Sequence, residues 1–396
     1  MSLLPAPGPP PRHNPTPGWN QSLSTGAPGI ALVHFTTARE GEEGWETAHS
    51  WAAAMTRTPV LAHPDACGLF HGAPAVAYAL HAAGHRAYAQ ALATLDTYIT
   101  DLVETRLRAA HARIDAGRLP RMREYDLISG LTGLGTYLLY RPGRPSPMFT
   151  KLLAYLVRLT EPITVNGRKI PGWWTSDRPD GQPCRRGGHG NLGMAHGVAG
   201  PLALAATAMR RGIGVSGQAD MISRVSTWVD GWRHGTPETS WWPQTLSSAE
   251  LADGAIANRH PGRPSWCYGT PGLARARQLA ALALGDRAAQ QDAEQSLVTC
   301  LKDEQQLDQL TDASVCHGWA GLLQTTRAVA ADATLELNPA LTAQLSRLRG
   351  RLDGHLDLHG APKTNGLLEG TAGVHLATKP PSAGPLSWDA CLLLAG

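Results

Sequence analysis

The amino-acid sequence predicts an all-α fold, an α/α toroid built from seven helical hairpins. The main observation is a short Gly-rich turn that opens onto an apolar stretch and occurs seven times. The first glycines of these turns stand at positions 26, 72, 130, 197, 269, 318 and 370, in steps of 46, 58, 67, 72, 49 and 52 residues. Steps of this length are typical of arrays of helical hairpins.

Each turn is followed by residues that favour a small, apolar helix, as in residues 198–209 and 273–284. A second helix is predicted between turns, where apolar residues recur at spacings of three and four, for example at Leu341, Leu345 and Leu348. Two helices of roughly 15 residues and a turn fill about 45 residues, so the longer steps require insertions.

The contrast between the two helices of a hairpin indicates two concentric rings. Small side chains allow close helix packing, so the first helices would form an inner barrel of seven and the more charged second helices an outer barrel of seven. An open superhelix of hairpins is also compatible with the repeat. The closed toroid is favoured because candidate metal ligands from distant parts of the chain must converge.

Proline and glycine patterns divide the chain. Seven prolines among residues 1–20 predict a flexible N-terminal arm, and residues 21–396 are predicted to form a single domain. An insertion near residues 162–193 separates the third and fourth turns. The Asn166-Gly167 pair within it predicts a β-hairpin that decorates the rim of the toroid.

Charge and hydropathy exclude several classes of function. The 35 Lys and Arg against 32 Asp and Glu give a net charge of +3, too small to indicate binding to nucleic acid or an anionic membrane. No apolar run approaches the roughly 20 residues of a membrane span, and no signal peptide is evident. We therefore expect a cytoplasmic protein whose six cysteines are thiols rather than disulfides.

The strongest chemical signal is a pair of cysteines in adjacent turns. Cys267 and Cys316 each precede the first glycine of their turn by two residues, so their side chains should be neighbours. His317 follows Cys316, and the irregular backbone of a turn would let both face one ion. Two thiolates and an imidazole suit Zn²⁺ with a fourth position left open, although two buried cysteines would give the same pattern.

Three segments resemble the lanthionine synthetase C-like family, the cyclases of lantibiotic biosynthesis: Trp266-Cys267-Tyr268-Gly269, Cys316-His317-Gly318 and Ala195-His196-Gly197-Val198-Ala199-Gly200. The resemblance extends over nearly the whole chain. It implies an α/α toroid of seven inner and seven outer helices, with zinc at one end held by Cys267, Cys316 and His317. It also implies acid/base roles for Asp126 and His196, and active-site roles for Arg263 and Tyr268.

The activity that the resemblance implies is the addition of peptide Cys thiols to dehydroalanine or dehydrobutyrine, which forms lanthionine or methyllanthionine rings. The implied substrate is a dehydrated precursor peptide, and a lantibiotic dehydratase is a further candidate partner. From the residues alone, His196 could instead cap a helix, and Asp126 could cap a helix or pair with Arg123.

Other functions stay open at this point. A zinc-stabilised scaffold could bind a modified peptide or its dehydratase without catalysis, and a related enzyme could add glutathione-type thiols to dehydroamino acids. Toroids of six hairpins with paired carboxylates, as in glycosidases, fit less well, because this chain has seven turns and a Cys/Cys/His set.

Overall fold

The computed structural model describes residues 6–143, 145–165, 167–184, 187–236, 239–257, 260–380 and 386–395. Its helices are α1 (Ala27–Arg39), α2 (Trp45–Met55), α3 (Ala73–Ala83), α4 (Ala89–Asp115), α5 (Met122–Tyr125), α6 (Leu131–Tyr140), α7 (Pro147–Leu159), α8 (Ala199–Arg210), α9 (Gln218–Asp230), α10 (Ser248–Asp253), α11 (Thr270–Leu284), α12 (Arg287–Cys300), α13 (Glu304–Leu307), α14 (Trp319–Ala331), α15 (Asn338–His359) and α16 (Thr371–Thr378). Short 3₁₀ helices span Trp19–Gln21, Arg86–Tyr88 and Trp388–Leu392.

The helices that follow the seven Gly-rich turns form a closed inner ring. In ring order they are α1, α3, α6, α8, α11, α14 and α16, and α16 packs back against α1. These helices are buried on almost every side, and every residue of α3 is buried. The α/α toroid is therefore confirmed, and the open superhelix is excluded.

A second layer of helices covers the ring. The helices α2, α4, α7, α9, α12 and α15 each pack against the inner helix that precedes them. The helix α15 buries one stripe only, formed by Leu341, Leu348 and Leu352. The seventh turn departs from this pattern, because among the residues described after α16 the only helix is the 3₁₀ helix Trp388–Leu392.

The C-terminal segment instead fills the interior of the ring. The Tyr78 hydroxyl of α3 donates to Ser387 O at 2.9 Å, and Arg275 Nε of α11 donates to Leu394 O at 2.9 Å. Leu394 is fully buried, as are its neighbours Leu392 and Leu393. Because α3 and α11 lie on different sides of the ring, the segment must pass through its centre.

The Gly-rich turns form a rim at one end of the toroid, and backbone hydrogen bonds join neighbouring turns. The bonds run from Leu23 N to Phe70 O, Leu127 N to Ala195 O, Met194 N to Cys267 O, Cys267 N to Cys316 O, Cys316 N to Leu368 O and Leu368 N to Ser24 O, at 2.8–3.2 Å. The second and third turns are joined by a side chain, since Arg106 Nη1 donates to Cys67 O at 3.0 Å and Ser129 O at 2.7 Å.

Six of the seven turns have a second glycine, three residues after the first, that permits this compact geometry; the second turn has Ala75 at that position. A Cβ added to Gly272 would lie 2.0 Å from Trp266 O, and one added to Gly321 would lie 2.0 Å from Val315 O. The backbone of the turn thus folds back against the first residues of the helix that follows it. A side chain at the second glycine would collide with a carbonyl group of the turn.

Short strands lie near the rim. Strands β1 (Ile163–Val165) and β2 (Arg168–Ile170) pair antiparallel, as the hairpin signal predicts, although Asn166 itself lies outside the described residues. A second pair, which the sequence analysis did not predict, joins β3 (His189–Asn191) to β4 (Thr245–Ser247). Because β3 ends just before the fourth turn, it anchors that turn from outside the ring.

Residues 6–18 of the Pro-rich segment lie against the outer layer. Trp51 Nε1 of α2 donates to Gly8 O at 3.1 Å, and Arg57 donates to Pro11 O. All six cysteines are thiols rather than half-cystines, as expected. Within the described ranges, every helix is too short or too polar to cross a membrane.

Candidate metal centre

The rim brings Cys267, Cys316 and His317 together. One candidate ligand atom from each residue lies within 4.8 Å of the other two, so the three could hold a metal ion. The hydrogen bond from Cys267 N to Cys316 O, at 3.2 Å, places the two cysteines side by side in adjacent turns. His317 can join them because the residues before α14 are not yet helical; its N–H donates to Ser314 Oγ at 3.2 Å.

Charge is unevenly shared within this cluster. Hydrogen bonds from the Cys316 thiol and from His317 lower the pKa of Cys267 to about 4, although burial opposes this shift. The pKa of Cys316 is raised, because its sulfur contacts the ionised Cys267 and is itself desolvated. Contact with Cys267 also raises the pKa of His317. The two sulfurs can both ionise readily only if a cation lies between them, so the cluster fits a metal ion.

The donor types match one metal well. Two thiolates and an imidazole are ligands that Zn²⁺ accepts, and three protein ligands leave a fourth tetrahedral position open, as in catalytic zinc sites. Cys267 is buried while Cys316 and His317 are half-buried, so an ion would be accessible from one side.

A second pair of functional groups lies on the neighbouring turns. His196 Nδ1 is 2.7 Å from Asp126 Oδ2, and the other carboxylate oxygen, Oδ1, accepts the Ser129 N–H at 2.8 Å. Asp126 is only 2% exposed. Within the described residues Asp126 forms its ion pair with His196 rather than with Arg123, so Asp126 and His196 form a dyad.

The environment favours the charged form of His196. Burial disfavours the imidazolium, but the hydrogen bond and the charge of Asp126 outweigh it, so the pKa is raised. The charge of Cys267 contributes in the same direction. A carboxylate at Nδ1 fixes the ring and leaves Nε2 as the nitrogen that can exchange a proton.

Tyr268 lies beside the dyad, and Arg263 lies near the cysteine cluster. The Tyr268 ring lies 6.5 Å from the His196 ring, centroid to centroid, and its hydroxyl accepts a hydrogen bond from Asn191 Nδ2 at 2.9 Å. Burial raises the pKa of Tyr268 to about 12, so the phenol keeps its proton. The positive charge of Arg263 lowers the pKa of Cys316 and His317, and its buried Nε has no hydrogen-bond partner among the described residues.

Sequence reasoning missed two residues of this region. Asp312 Oδ2 lies 3.3 Å from His317 Nε2, and Asn191 orients the Tyr268 hydroxyl. An acidic residue in a turn is indistinguishable from a helix-capping residue in the sequence alone. Asn191 stands at the end of a strand whose partner is distant, so no local pattern marked it.

Comparisons with known proteins give consistent findings. A model of the family described as "Lanthionine synthetase C-like protein" matches residues 17–393. The Nisin biosynthesis protein NisC of Lactococcus lactis subsp. lactis is 24% identical over 208 residues, which are 51% of this chain and 48% of that protein. The aligned segment thus spans about half of that relative.

A solved structure extends the likeness to the whole fold. The structure of a nisin cyclase superposes with a TM-score of 0.78 at 21% identity, covering 96% of this chain and 93% of the other. At this level of identity, the superposition shows a shared toroid fold.

Proposed function

Because the chain belongs to the lanthionine synthetase C-like family, we propose that it is a zinc-dependent peptide cyclase. It would add Cys thiols to dehydroalanine or dehydrobutyrine residues of a dehydrated precursor peptide, forming lanthionine or methyllanthionine rings. One observation carries this proposal: the Cys267, Cys316 and His317 cluster lies on the same rim as the Asp126–His196 dyad.

Cys267, Cys316 and His317 would hold the zinc. When bound, zinc would supply the Lewis acidity that keeps a substrate thiol ionised at neutral pH, where a free Cys, with a pKa near 8.5, is mostly protonated. Two protein thiolates balance the charge of Zn²⁺, so an added thiolate would keep its nucleophilic character.

The dyad would complete the addition. The new C–S bond forms at the alkene β-carbon, electron density moves to the carbonyl oxygen as an enolate, and a proton must then reach the α-carbon. His196 Nε2 is the proton donor we assign, since Nδ1 is held by Asp126 and the raised pKa favours the protonated ring. The thiol proton lost at the start balances the one that is added.

The enolate oxygen requires positive charge or hydrogen-bond donors. Tyr268 keeps its phenolic proton, so its hydroxyl can donate a hydrogen bond to the enolate oxygen, while Arg263 supplies a positive charge near the cluster. The reaction is redox-neutral and has no leaving group, so these side chains together with the metal would suffice.

We further propose a cytoplasmic location, where the six thiols stay reduced, and a dehydratase as a functional partner. The chemistry of the substrate requires an enzyme that removes water from Ser and Thr side chains. Such a dehydratase would act on the same peptide before this protein does.

The test mixes the protein with a dehydrated Cys-containing peptide and counts the remaining thiols by alkylation and mass spectrometry. We expect fast thiol loss without a mass change, abolished by a chelator and restored by zinc. The Cys267→Ala, Cys316→Ala double variant should lack zinc and activity, whereas Cys184→Ala, a half-buried thiol of the insertion, should keep both.

Three outcomes would contradict the proposal. Cyclisation at the background rate despite peptide binding would indicate a non-catalytic scaffold. An increase in peptide mass with added glutathione, in place of ring formation, would indicate addition of small thiols. Full zinc occupancy in the double variant would remove the proposed metal centre.

A further inference from the structure

Asp312 contacts the imidazole of the metal cluster and is itself fixed by the backbone. Its Oδ1 accepts the Ser314 N–H at 2.8 Å, and its main-chain oxygen accepts the Trp319 N–H at 3.1 Å. Its Oδ2 lies 3.3 Å from His317 Nε2. Because the carboxylate is anchored on its far side, the imidazole is the group that must adapt to it.

The same arrangement occurs in the dyad on the other side of the cluster. There Asp126 also uses one oxygen for a backbone N–H and presents the other to a ring nitrogen of His196. The two carboxylates stand in different turns and hold different nitrogens, Nδ1 in His196 and Nε2 in His317. Each therefore selects which nitrogen of its imidazole stays free.

A neutral imidazole carries its hydrogen on one nitrogen and a lone pair on the other. A carboxylate beside Nε2 stabilises the hydrogen there and leaves the lone pair on Nδ1. Histidines that bind metals usually donate their second N–H to a carboxylate or carbonyl, which fixes the ring and makes the ligand more basic.

We propose that Asp312 is a positioning residue that holds His317 with its hydrogen on Nε2, so that Nδ1 is the metal ligand. The inference rests on the metal site of the proposed function and names a residue that sets its affinity. Asp312 and His317 line one cavity of about 350 Å³, together with His355, His359 and Glu369. His355 is a second imidazole on which the charge of Asp312 acts, and it requires its own control.

An alternative role for Asp312 is to cap the turn, and the two roles predict opposite effects for two substitutions. In Asp312→Asn the amide oxygen can keep the Ser314 N–H, but the amide NH₂ then faces His317 Nε2. That nitrogen must accept, so the lone pair moves away from Nδ1. Asp312→Ala loses the hydrogen bond that caps the turn, but it leaves the imidazole of His317 able to carry its hydrogen on either nitrogen. A positioning residue therefore makes Asn at least as harmful to metal binding as Ala.

The experiment measures zinc affinity by competition with a chromophoric chelator, using the full chain. Asp312→Asn should bind zinc about 10- to 100-fold more weakly, the usual effect of losing such a partner. Asp308→Asn, an exposed carboxylate nearby, and His355→Gln should bind as the wild type does. In ¹⁵N-His protein loaded with ¹¹³Cd, the metal should couple to Nδ1 of His317.

The outcomes separate this inference from the proposed function. If the wild type binds no zinc, the metal site itself is wrong. If the wild type binds tightly and Asp312→Asn binds equally well, or only Asp312→Ala is weakened, Asp312 is a turn cap and the inference fails. Coupling of cadmium to Nε2 would overturn it as well.

Discussion

Replacing Asp126 with Asn changes the dyad at a single atom. In the wild type, Asp126 Oδ1 accepts the Ser129 N–H at 2.8 Å and Oδ2 accepts from His196 Nδ1 at 2.7 Å. The Asn oxygen would keep the backbone N–H, because that donor is half-buried and has no substitute. The amide NH₂ then faces His196 Nδ1, which must give up its hydrogen and accept instead.

Two effects of this change add to each other. The charge-assisted hydrogen bond that favours the imidazolium is lost, and such bonds contribute about 1.5–3 kcal/mol. The pKa of His196 should therefore fall, because the imidazolium loses the carboxylate that stabilises it. The neutral imidazole of His196 would also carry its hydrogen on Nε2 rather than on Nδ1. His196 would then be a poor proton donor at neutral pH, and ring closure should slow by about 10²-fold or more.

The assay follows thiol loss from the dehydrated peptide under single-turnover conditions, with zinc content and peptide affinity measured in parallel. Zinc and peptide binding should stay near wild-type values, because the hydrogen bonds of the Asp126 carboxylate are to Ser129 and His196. His196→Asn should slow the reaction similarly, and the double variant should be no slower than either single one. Wild-type rates in Asp126→Asn would show that His196 only caps its turn.

Three further predictions concern stability. The raised pKa of His196 means that the folded state favours its protonated form. This stabilisation is present below about pH 6.5 and is lost as pH rises through the folded pKa. In urea titrations, the difference in unfolding free energy between wild type and His196→Gln should therefore shrink from pH 6 to pH 9. Arg106→Leu removes the donor to two rim carbonyls and should lower the unfolding free energy by about 2–4 kcal/mol, whereas Arg108→Leu on the same helix should have little effect; equal losses would contradict the bridging role. Gly269 has a φ angle of +103°, and a Cβ there would lie 2.5 Å from Arg263 O. Gly269→Ala should therefore lower the free energy of unfolding by about 1–3 kcal/mol and reduce the zinc content of the folded protein. Unchanged zinc content would show that the turn tolerates the displacement of its backbone.

The sequence predicted the ring because its information is local and repeated. Each Gly-rich turn has its own steric requirement, and each inner helix has its own small side chains. The same local pattern therefore predicts the same hairpin seven times. The C-terminal segment could not be predicted in this way. Its position depends on contacts such as Tyr78 with Ser387, which are 309 residues apart and leave no periodic trace.

Some contacts of the candidate site could likewise be predicted from the repeat, and others could not. The shared register of Cys267 and Cys316 predicted their proximity, and the structure brings them together with His317. The pairing of Asp126 with His196 could not be derived from spacing, since a carboxylate four residues before a glycine serves equally well as a cap. Asp312 was missed for the same reason.

Cys267 joins the two halves of the site through its main chain. Its N–H donates to Cys316 O at 3.2 Å, and its carbonyl accepts the Met194 N–H at 3.0 Å, two residues before His196. The turns that carry the cysteines and the proton donor are therefore held by backbone hydrogen bonds, whose geometry does not depend on side-chain rotamers. A closed ring fixes each turn from both sides, whereas an open array would leave its terminal turns free. The toroid thus supplies the rigidity that a metal ligand set and a proton donor need in order to act on one substrate carbon.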